Sequence, residues 1–375
     1  MKVAICTDEQ EFQANRILDK SWAKKFPGAL WVSFWADFLK NKRVEAVTGD
    51  IALVNIKIKG WKPEDILVIQ ELDATDGGRL IELGAKPFIL TGFESPLYVP
   101  YFYDQLPKIA PQFTHRILYS GAFKNFATRK GFNHLAYFPS YISNDIIPVK
   151  KWIGRKFLVM VASNKYFEVD FNKLSFFNPK RYLGPIKHQL IKFASPTKTI
   201  VYKNELITKR LEAVAYFGDL GLLSLFGHSW NNLDNLPLKW QKKMVKILKK
   251  IKPKSVKDKL KTISFYKFAI CFENVSYPGY ITEKIIDCFV SGVIPIYLGA
   301  PDIERFIPRN SFIDMRNFDS WDKLHRYLTK IDSNQATKMI GNGRNFLRSN
   351  KGKLYDQQRF ANFVGKIVLT NSLTI

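Results

Sequence analysis

The segment from Tyr266 to Leu298 constrains the fold of this chain more than any other. Two apolar runs, 266–272 and 293–298, enclose a polar loop and a helical pattern. Apolar residues recur at helical spacing between the runs, and Gly292 is a typical residue to follow the end of a helix. The pattern predicts a strand, a loop, a helix and a second strand, which is a unit of a parallel sheet.

The loop before this helix concentrates polar groups near the helix start. Thr282 is predicted to be the N-cap, and Glu283 places a carboxylate in the first turn. The N–H groups of a helix N-terminus attract anions, and Lys284 adds a full positive charge there. Glu283 also suits the two hydroxyls of a ribose, while Asn274 and Tyr280 add further polar groups. We therefore predict a site for a nucleoside diphosphate.

Three strings of this segment together resemble a known signature. They are Phe272-Glu273-Asn274, Tyr280-Ile281-Thr282-Glu283-Lys284 and the run 293–301. The combination resembles the donor-binding segment of the α-1,3-fucosyltransferases, glycosyltransferase family 10, with weaker similarity over most of the chain. The resemblance implies a GT-B α/β fold, in which two Rossmann-like, doubly wound domains enclose an interdomain cleft. It also implies a GDP-sugar as the donor.

The length of 375 residues is typical of two domains. Short apolar runs alternate with helical patterns, which favours parallel sheets. The runs predicted as strands are 3–6, 51–56, 66–70, 88–90, 157–162 and 222–226. We predict an acceptor-binding domain with the catalytic base over 1–150 and a donor-binding domain over 151–350. The segment 351–375 is predicted to form a helix that packs back on the first domain.

The compartment follows from what the N-terminus and the cysteines lack. Residues 1–6 are typical of a first strand and not of a signal peptide, and no run approaches the length of a membrane span. The three cysteines, Cys6, Cys271 and Cys288, have no metal-binding or disulfide spacing. We expect a cytoplasmic protein.

The net charge of +25 depends strongly on one segment, 239–261. Apolar residues lie at helical spacing there, with lysines on the other face and Pro253 as the predicted stop. A basic amphipathic helix can lie on an anionic membrane, which would make the protein peripheral on the inner face. The alternative is a surface helix whose apolar stripe packs on the protein itself. Nucleic-acid binding is not expected, because no nucleic-acid-binding signature accompanies the lysines.

Glu94 is the candidate catalytic base. An inverting fucosyltransferase, as the resemblance implies, needs a carboxylate to take the proton of the acceptor hydroxyl. Glu94 follows the predicted strand 88–90, and Glu94-Ser95-Pro96 resembles the family segment that carries the proposed base. The alternative is a turn carboxylate without a catalytic task.

Arg210 is the second candidate for holding the diphosphate, beside Lys284. The family has an arginine at a matching helix start, and a guanidinium can hold two phosphate oxygens at once. The alternative is a solvated helix arginine. Lys257 is a further candidate phosphate contact.

No metal ligand is predicted. The chain lacks an Asp-x-Asp string, and Glu168-Val169-Asp170 is a poor substitute. The five histidines show no ligand spacing. They are His115, His134, His188, His228 and His325. No cofactor is expected to be required, and a divalent ion is allowed a stimulatory role only.

The resemblance implies transfer of fucose from GDP-fucose to a hydroxyl of N-acetylglucosamine or glucose in a glycan, which can be lipid-linked. A first alternative keeps the scaffold and changes the nucleotide sugar. A second is a basic membrane- or nucleic-acid-binding protein with a degenerate transferase fold. The presence of Glu94, Glu283 and Lys284 argues against lost activity.

Overall fold

The computed structural model describes residues 1–124, 126, 131–165, 195–234, 236 and 238–370. Within these ranges the strands are β1 (Lys2–Cys6), β2 (Glu45–Thr48), β3 (Ile66–Glu71), β4 (Lys86–Gly92), β5 (His115–Leu118), β6 (Phe132–Leu135), β7 (Lys156–Val161), β8 (Leu223–Phe226), β9 (Tyr266–Ile270), β10 (Ile294–Tyr297) and β11 (Ile313–Asp314).

The α-helices of the described residues follow the same chain order. They are α1 (Lys20–Ala23), α2 (Leu30–Lys40), α3 (Gly49–Lys59), α4 (Thr75–Glu82), α5 (Pro100–Ile109), α6 (Pro196–Lys203), α7 (Ile207–Asp219), α8 (Leu238–Ile251), α9 (Lys259–Ile263), α10 (Glu283–Ser291), α11 (Trp321–Lys330), α12 (Ser333–Arg348) and α13 (Gln357–Thr370).

The chain forms two compact units. Unit 1 comprises 1–144, 278–283 and 350–375, and unit 2 comprises 145–277 and 284–349. Each unit is built on its own parallel sheet, with the strand order β2-β1-β3-β4-β5-β6 in unit 1 and β11-β10-β9-β7-β8 in unit 2. The predicted α/β class with two doubly wound sheets is thereby confirmed. The domain roles assigned from the sequence stay predictions.

The core of unit 1 lies on both faces of its sheet. The central strands β1 and β3 are almost entirely buried, as expected for parallel strands covered by helices on both sides. The last helix, α13, packs on α2, where the ring of Phe360 meets Trp31 edge to face at a centroid distance of 5.0 Å. The C-terminal segment thus completes the core of unit 1.

The prediction of a strand over 51–56 is wrong, because these residues lie in helix α3. The buried residues of α3 are Gly49, Ala52 and Asn55, which recur every three positions, while Val54 is exposed. The strand at this place is the preceding β2, which lies parallel to β1. A parallel connection to β3 needs a crossover, usually a helix, and this tertiary demand overrides the strand preference of the isoleucines.

Unit 2 contains most of the segment 266–298. Strand β9 pairs in parallel with β7 on one side and with β10 on the other. Helix α10 connects β9 to β10 and ends at Gly292, whose φ of +65° is the left-handed conformation expected after a helix end. The predicted strand-loop-helix-strand unit is confirmed.

The basic helix α8 directs its apolar stripe into the core of unit 2. Met244 and Ile247 are buried there, Leu248 is also buried, and Trp240 packs against the same cluster. The lysines of α8 lie on the exposed face. They are Lys239, Lys242, Lys243, Lys246, Lys249 and Lys250. Of the two alternatives, the structure shows the surface helix that packs its stripe on the protein.

All three cysteines are free and buried. Burial raises the pKa of the Cys6 and Cys271 thiols well above the ordinary value. Among the described residues, no helix combines the length and the apolarity that crossing a bilayer requires.

Candidate functional site

The sheet of unit 2 reverses its strand order beside its first strand, β7. The chain places β8 on one side of β7 and then β9 on the other, after which β10 and β11 continue outward from β9. The crevice at such a reversal, outside the carboxyl ends of the two strands, is where open α/β sheets bind ligands. A ligand of unit 2 is therefore expected at the carboxyl ends of β7 and β9.

A small recess of roughly 30 Å³ lies at this place. Its walls include the ends of β7 and β9 and three cationic side chains, Arg210, Lys259 and Lys284. The recess has room for a single polar atom such as a phosphate oxygen, so a nucleoside would have to lie outside it. Positive groups around such a space favour an anion, although Lys259 and Lys284 are each also paired with a carboxylate.

Arg210 lies in the first turn of α7, and its guanidinium holds the loop that follows β9. Its Nη2 donates to the carbonyl oxygen of Phe272 at 2.6 Å and to Oδ1 of Asn274 at 2.8 Å. The side chain is 5 % exposed, so the alternative of a solvated helix arginine does not describe it. Arg210 and Asn274, both predicted donor contacts, are thus brought together.

Lys284 forms an ion pair with a fully buried carboxylate. Its Nζ lies 3.1 Å from Oε2 of Glu273, which is 0 % exposed. Gly299 makes room for Glu273, because a Cβ on Gly299 would lie 2.6 Å from Cγ of Glu273 and even closer to the Tyr297 hydroxyl. The ion pair joins the loop after β9 to the first turn of α10.

Lys259 is a third cation, which no sequence pattern predicted. Its Nζ lies 2.6 Å from Oδ2 of Asp287 on α10, and both side chains are at least half-buried. The predicted contact Lys257 is exposed and does not line the recess. The available signal was Asp258, the N-cap of α9, which orients Lys259 in the first turn of that helix.

The remaining predicted donor residues lie in the part of the motif that belongs to unit 1. The ring of Tyr280 is buried and meets Tyr119 edge to face at a centroid distance of 5.1 Å. Glu283 is half-buried and is the first residue of α10, directly after the predicted N-cap Thr282. Their roles in donor binding stay predictions.

The sheet of unit 1 has its own reversal, where β1 lies between β2 and β3. A pocket of about 690 Å³ lies at the carboxyl ends of β1, β3 and β4, and Glu94 is one of its lining residues. The volume is within the range of small-molecule sites. Glu94 therefore lies where a ligand of unit 1 is expected.

A second carboxylate, Glu71, lies in the same pocket as Glu94. Glu71 ends β3 and accepts hydrogen bonds from the Phe93 amide at 3.2 Å and from the Thr91 hydroxyl. Burial, together with the negative charge of Glu94, raises the pKa of Glu71. Glu94 is exposed and accepts from the Ser95 amide at 2.7 Å. The sequence signal for Glu71 was a carboxylate at the end of β3, two positions after the apolar run 66–69.

No group of three potential metal ligands occurs among the described residues. Nδ1 of His115 on β5 lies 3.1 Å from Nε2 of His134 on β6. Burial lowers the pKa of both imidazoles, to about 4 for His115. His228 is exposed in a turn. The string 168–170 and His188 lie outside the described residues.

Comparison with known proteins confirms the family resemblance over part of the chain. Residues 234–339 match the model described as Glycosyltransferase family 10 (fucosyltransferase) C-term. The chain is similar to the α-(1,3)-fucosyltransferase FucT of Helicobacter pylori, with 35% identity over 107 residues that cover 28% of this chain and 22% of that protein.

The human 4-galactosyl-N-acetylglucosaminide 3-α-L-fucosyltransferase 9 is also similar, with 39% identity over 80 residues, 21% of this chain and 22% of that protein. The matching segments thus span about a fifth of the length of these curated relatives.

Two solved structures share the fold. One is an α1,3-fucosyltransferase, with a TM-score of 0.51 and 16% identity over 98% of this chain and 89% of that chain. The other is Anabaena HepE in complex with UDP and glucose, with a TM-score of 0.55 and 8% identity over 99% of this chain and 100% of that chain. At these identities the likeness shows the fold alone, and the predicted GT-B fold is confirmed.

The ion pair between Lys284 and Glu273 predicts two separable effects of mutation. Lys284→Met is expected to destabilise the protein by about 3–5 kcal/mol, because it removes the partner of a buried carboxylate. Adding Glu273→Gln should restore most of that stability. GDP binding should stay about 10-fold weaker or worse, since the lysine ammonium group predicted to contact the phosphate is still missing. Thermal denaturation and GDP titration calorimetry measure the two effects.

The matched control is the exposed ion pair of Lys323 and Asp319, whose Nζ and Oδ2 lie 2.6 Å apart. Neutralising it should change stability by at most about 1 kcal/mol. Wild-type GDP affinity in the doubly substituted Lys284 and Glu273 protein would exclude Lys284 as a phosphate ligand.

Proposed function

We propose that this protein is an inverting glycosyltransferase that moves fucose from GDP-fucose to a hydroxyl of an N-acetylglucosamine or glucose unit in a glycan. The observation that carries the proposal is the convergence of Arg210, Lys259 and Lys284 at the strand reversal of unit 2. Two of these residues lie within 234–339, the segment that matches the family model. The human relative's name specifies a galactosyl-N-acetylglucosaminide, which supports this acceptor class.

The cations of unit 2 would stabilise the leaving group. As the bond between the sugar and the diphosphate breaks, the electron pair stays on the phosphate oxygen and negative charge develops there. Positive groups fixed in advance stabilise that charge without reorganising during the reaction. Glu283 would accept hydrogen bonds from the ribose hydroxyls, with Asn274 and Tyr280 as further donor contacts.

The carboxylate of Glu94 would act on the acceptor. It takes the proton of the attacking hydroxyl while the hydroxyl oxygen bonds to the anomeric carbon on the face opposite to the diphosphate. This single displacement inverts the configuration of that carbon. Exposure of Glu94 in a pocket of unit 1 supports this role, since a base must reach the substrate hydroxyl directly.

Glu94→Gln is expected to reduce transfer by about 10²–10⁴-fold, because the amide cannot take the proton. GDP affinity should stay at the wild-type value, since glutamine keeps the shape of the side chain and the oxygen that accepts the hydrogen bond of the Ser95 amide. The measurements are initial rates of fucose transfer to N-acetyllactosamine and GDP titration calorimetry.

The control for this variant is Glu82→Gln, an exposed carboxylate at the end of α4 that does not line the pocket. Its rate should match the wild type. Near-normal transfer in Glu94→Gln would reject Glu94 as the base, and faster transfer from UDP-glucose than from GDP-fucose would favour the alternative donor.

We further propose that the reaction requires no metal cofactor. The positive charge at the diphosphate would come from lysine and arginine, so a divalent ion has only the product left to screen. Transfer rates measured in EDTA should stay within about 3-fold of those in Mg²⁺, since screening of an exposed charge is a modest effect. Loss of activity in EDTA that one metal alone restores would contradict this proposal.

We also propose a cytoplasmic location with peripheral, electrostatic binding to the inner face of the membrane. The apolar stripe of α8 is packed in the core, so the exposed face offers its lysines and the apolar side chain of Val245 to the lipid surface. Each lysine near an anionic surface contributes about 1 kcal/mol, and salt screens the attraction.

The wild-type protein should therefore sediment with phosphatidylserine vesicles at low salt. At high salt it should stay in the supernatant. Changing Lys242, Lys243, Lys246 and Lys250 to Gln should abolish recovery. The charge-matched control changes four exposed lysines of unit 1 to Gln and should still sediment. These are Lys40, Lys42, Lys57 and Lys59. Equal loss in both variants would indicate non-specific charge attraction and would reject α8 as the binding face.

A further inference from the structure

The pocket of unit 1 is acidic, although the protein as a whole carries a net charge of +25. It lies outside the carboxyl ends of β1, β3 and β4 and has a volume of about 690 Å³. One lysine, Lys25, lines it, against six carboxylates. The six are Asp8, Glu9, Glu11, Glu71, Asp73 and Glu94. The sign of the charge in this pocket is therefore opposite to that of the rest of the molecule.

Aromatic rings form the other part of the pocket lining. Phe93 packs edge to face against Trp31 at a centroid distance of 6.5 Å and against Phe138 at 6.1 Å, and Phe12 packs against Phe26 at 5.0 Å. Aromatic faces pack against apolar C–H surfaces, and carboxylates accept hydrogen bonds from hydroxyl groups. A sugar ring offers both kinds of surface, so the lining fits a carbohydrate.

Apart from Glu94, the carboxylates of the pocket divide into two groups. Asp8 and Glu71 serve the fold, since Asp8 accepts from the Thr75 amide at 2.8 Å and Glu71 accepts from the Phe93 amide. Glu9, Glu11 and Asp73 are exposed lining residues. These three are placed to meet a ligand and can be changed without touching Glu94 or the hydrogen bonds of the pocket floor.

We propose that this pocket selects the acceptor by charge, taking sugar units that are neutral or carry an amine and rejecting sugar units that carry a carboxylate. The inference rests on the proposed function, in which Glu94 of the same pocket acts on the acceptor. A carboxylated sugar would enter a pocket where every ionised lining carboxylate repels it, with Lys25 as the only lining cation among the described residues. An amine-bearing sugar would be attracted by the same groups.

The test measures sugar binding to the full chain without any donor. Dissociation constants are determined by saturation-transfer NMR at low salt for the methyl β-glycosides of N-acetylglucosamine, glucosamine and glucuronic acid. The wild type should bind the glucosamine and N-acetylglucosamine glycosides at least about 10-fold more tightly than the glucuronide. Raising the salt to about 0.5 M should compress this difference, because salt screens charge–charge interactions.

Two triple variants distinguish the effect of the charge in the pocket from that of the net charge of the protein. Glu9→Gln, Glu11→Gln and Asp73→Asn together should bring the three glycosides within about 3-fold of one another. The control variant removes three exposed carboxylates of unit 1 that do not line the pocket, by the changes Glu45→Gln, Glu64→Gln and Glu82→Gln. It should bind the three glycosides with the same order of affinity as the wild type. Thermal denaturation checks that both variants fold, and the salt dependence of the wild type tests the proposal without any variant.

Three outcomes would overturn the inference. The first is equal affinity of the wild type for the glucuronide and the N-acetylglucosamine glycoside, and the second is no binding of any glycoside. The third is that the control variant loses its preference among the glycosides as the pocket variant does. Transfer from GDP-fucose, measured separately, distinguishes the failures. Transfer without charge selection would refute this inference alone, whereas charge-selective binding without transfer would refute the proposed function and leave a sugar site.

Discussion

The position of the first strand inside each sheet is the constraint on which both candidate sites depend. A parallel strand cannot be joined to its neighbour by a tight turn, so each connection crosses a face of the sheet. Because β1 and β7 each acquire neighbours on both sides, the connections on the two sides diverge and leave a space at the strand ends. The pocket of Glu94 and the recess of Lys284 are the spaces that this geometry creates.

The pocket of unit 1 and the recess of unit 2 are lined by charges of opposite sign. In unit 2 the cations are anchored, since Lys284 pairs with Glu273, Lys259 pairs with Asp287 and Arg210 donates to the loop after β9. These bonds fix the positions of the charged groups before any ligand arrives, which is what electrostatic stabilisation requires. Removing one of these side chains is therefore expected to lower the stability of unit 2 as well as alter the site.

The sequence predicted the parts of the structure whose patterns are long and self-consistent. The unit from β9 to β10 was predicted correctly, because long apolar runs, helical spacing and Gly292 all indicate the same arrangement. Helix α3 was mistaken for a strand, because isoleucine preference was the only local signal and the crossover to β3 decided the outcome. Likewise, periodicity showed that α8 is amphipathic but could not show that the core of unit 2 covers its stripe.

The candidate site was predictable only in part, for a similar reason. Glu94, Arg210 and Lys284 stand in recognisable strings, whereas Glu71 and Lys259 acquire their importance from residues distant in sequence. Glu71 depends on Thr91 of the next strand and on Phe93 directly after it, and Lys259 depends on Asp287 of α10. Such partners are set by the register of the sheet and the packing of helices, which no single-sequence pattern encodes.

The burial of all three cysteines has a practical consequence for studying motion. A thiol reacts as the thiolate, and burial disfavours that form at Cys6 and Cys271. A cysteine introduced on an exposed surface would therefore be modified first by a maleimide dye or a nitroxide reagent. The native chain can thus serve as a ready background for site-directed fluorescence and spin labelling, without prior removal of its own cysteines.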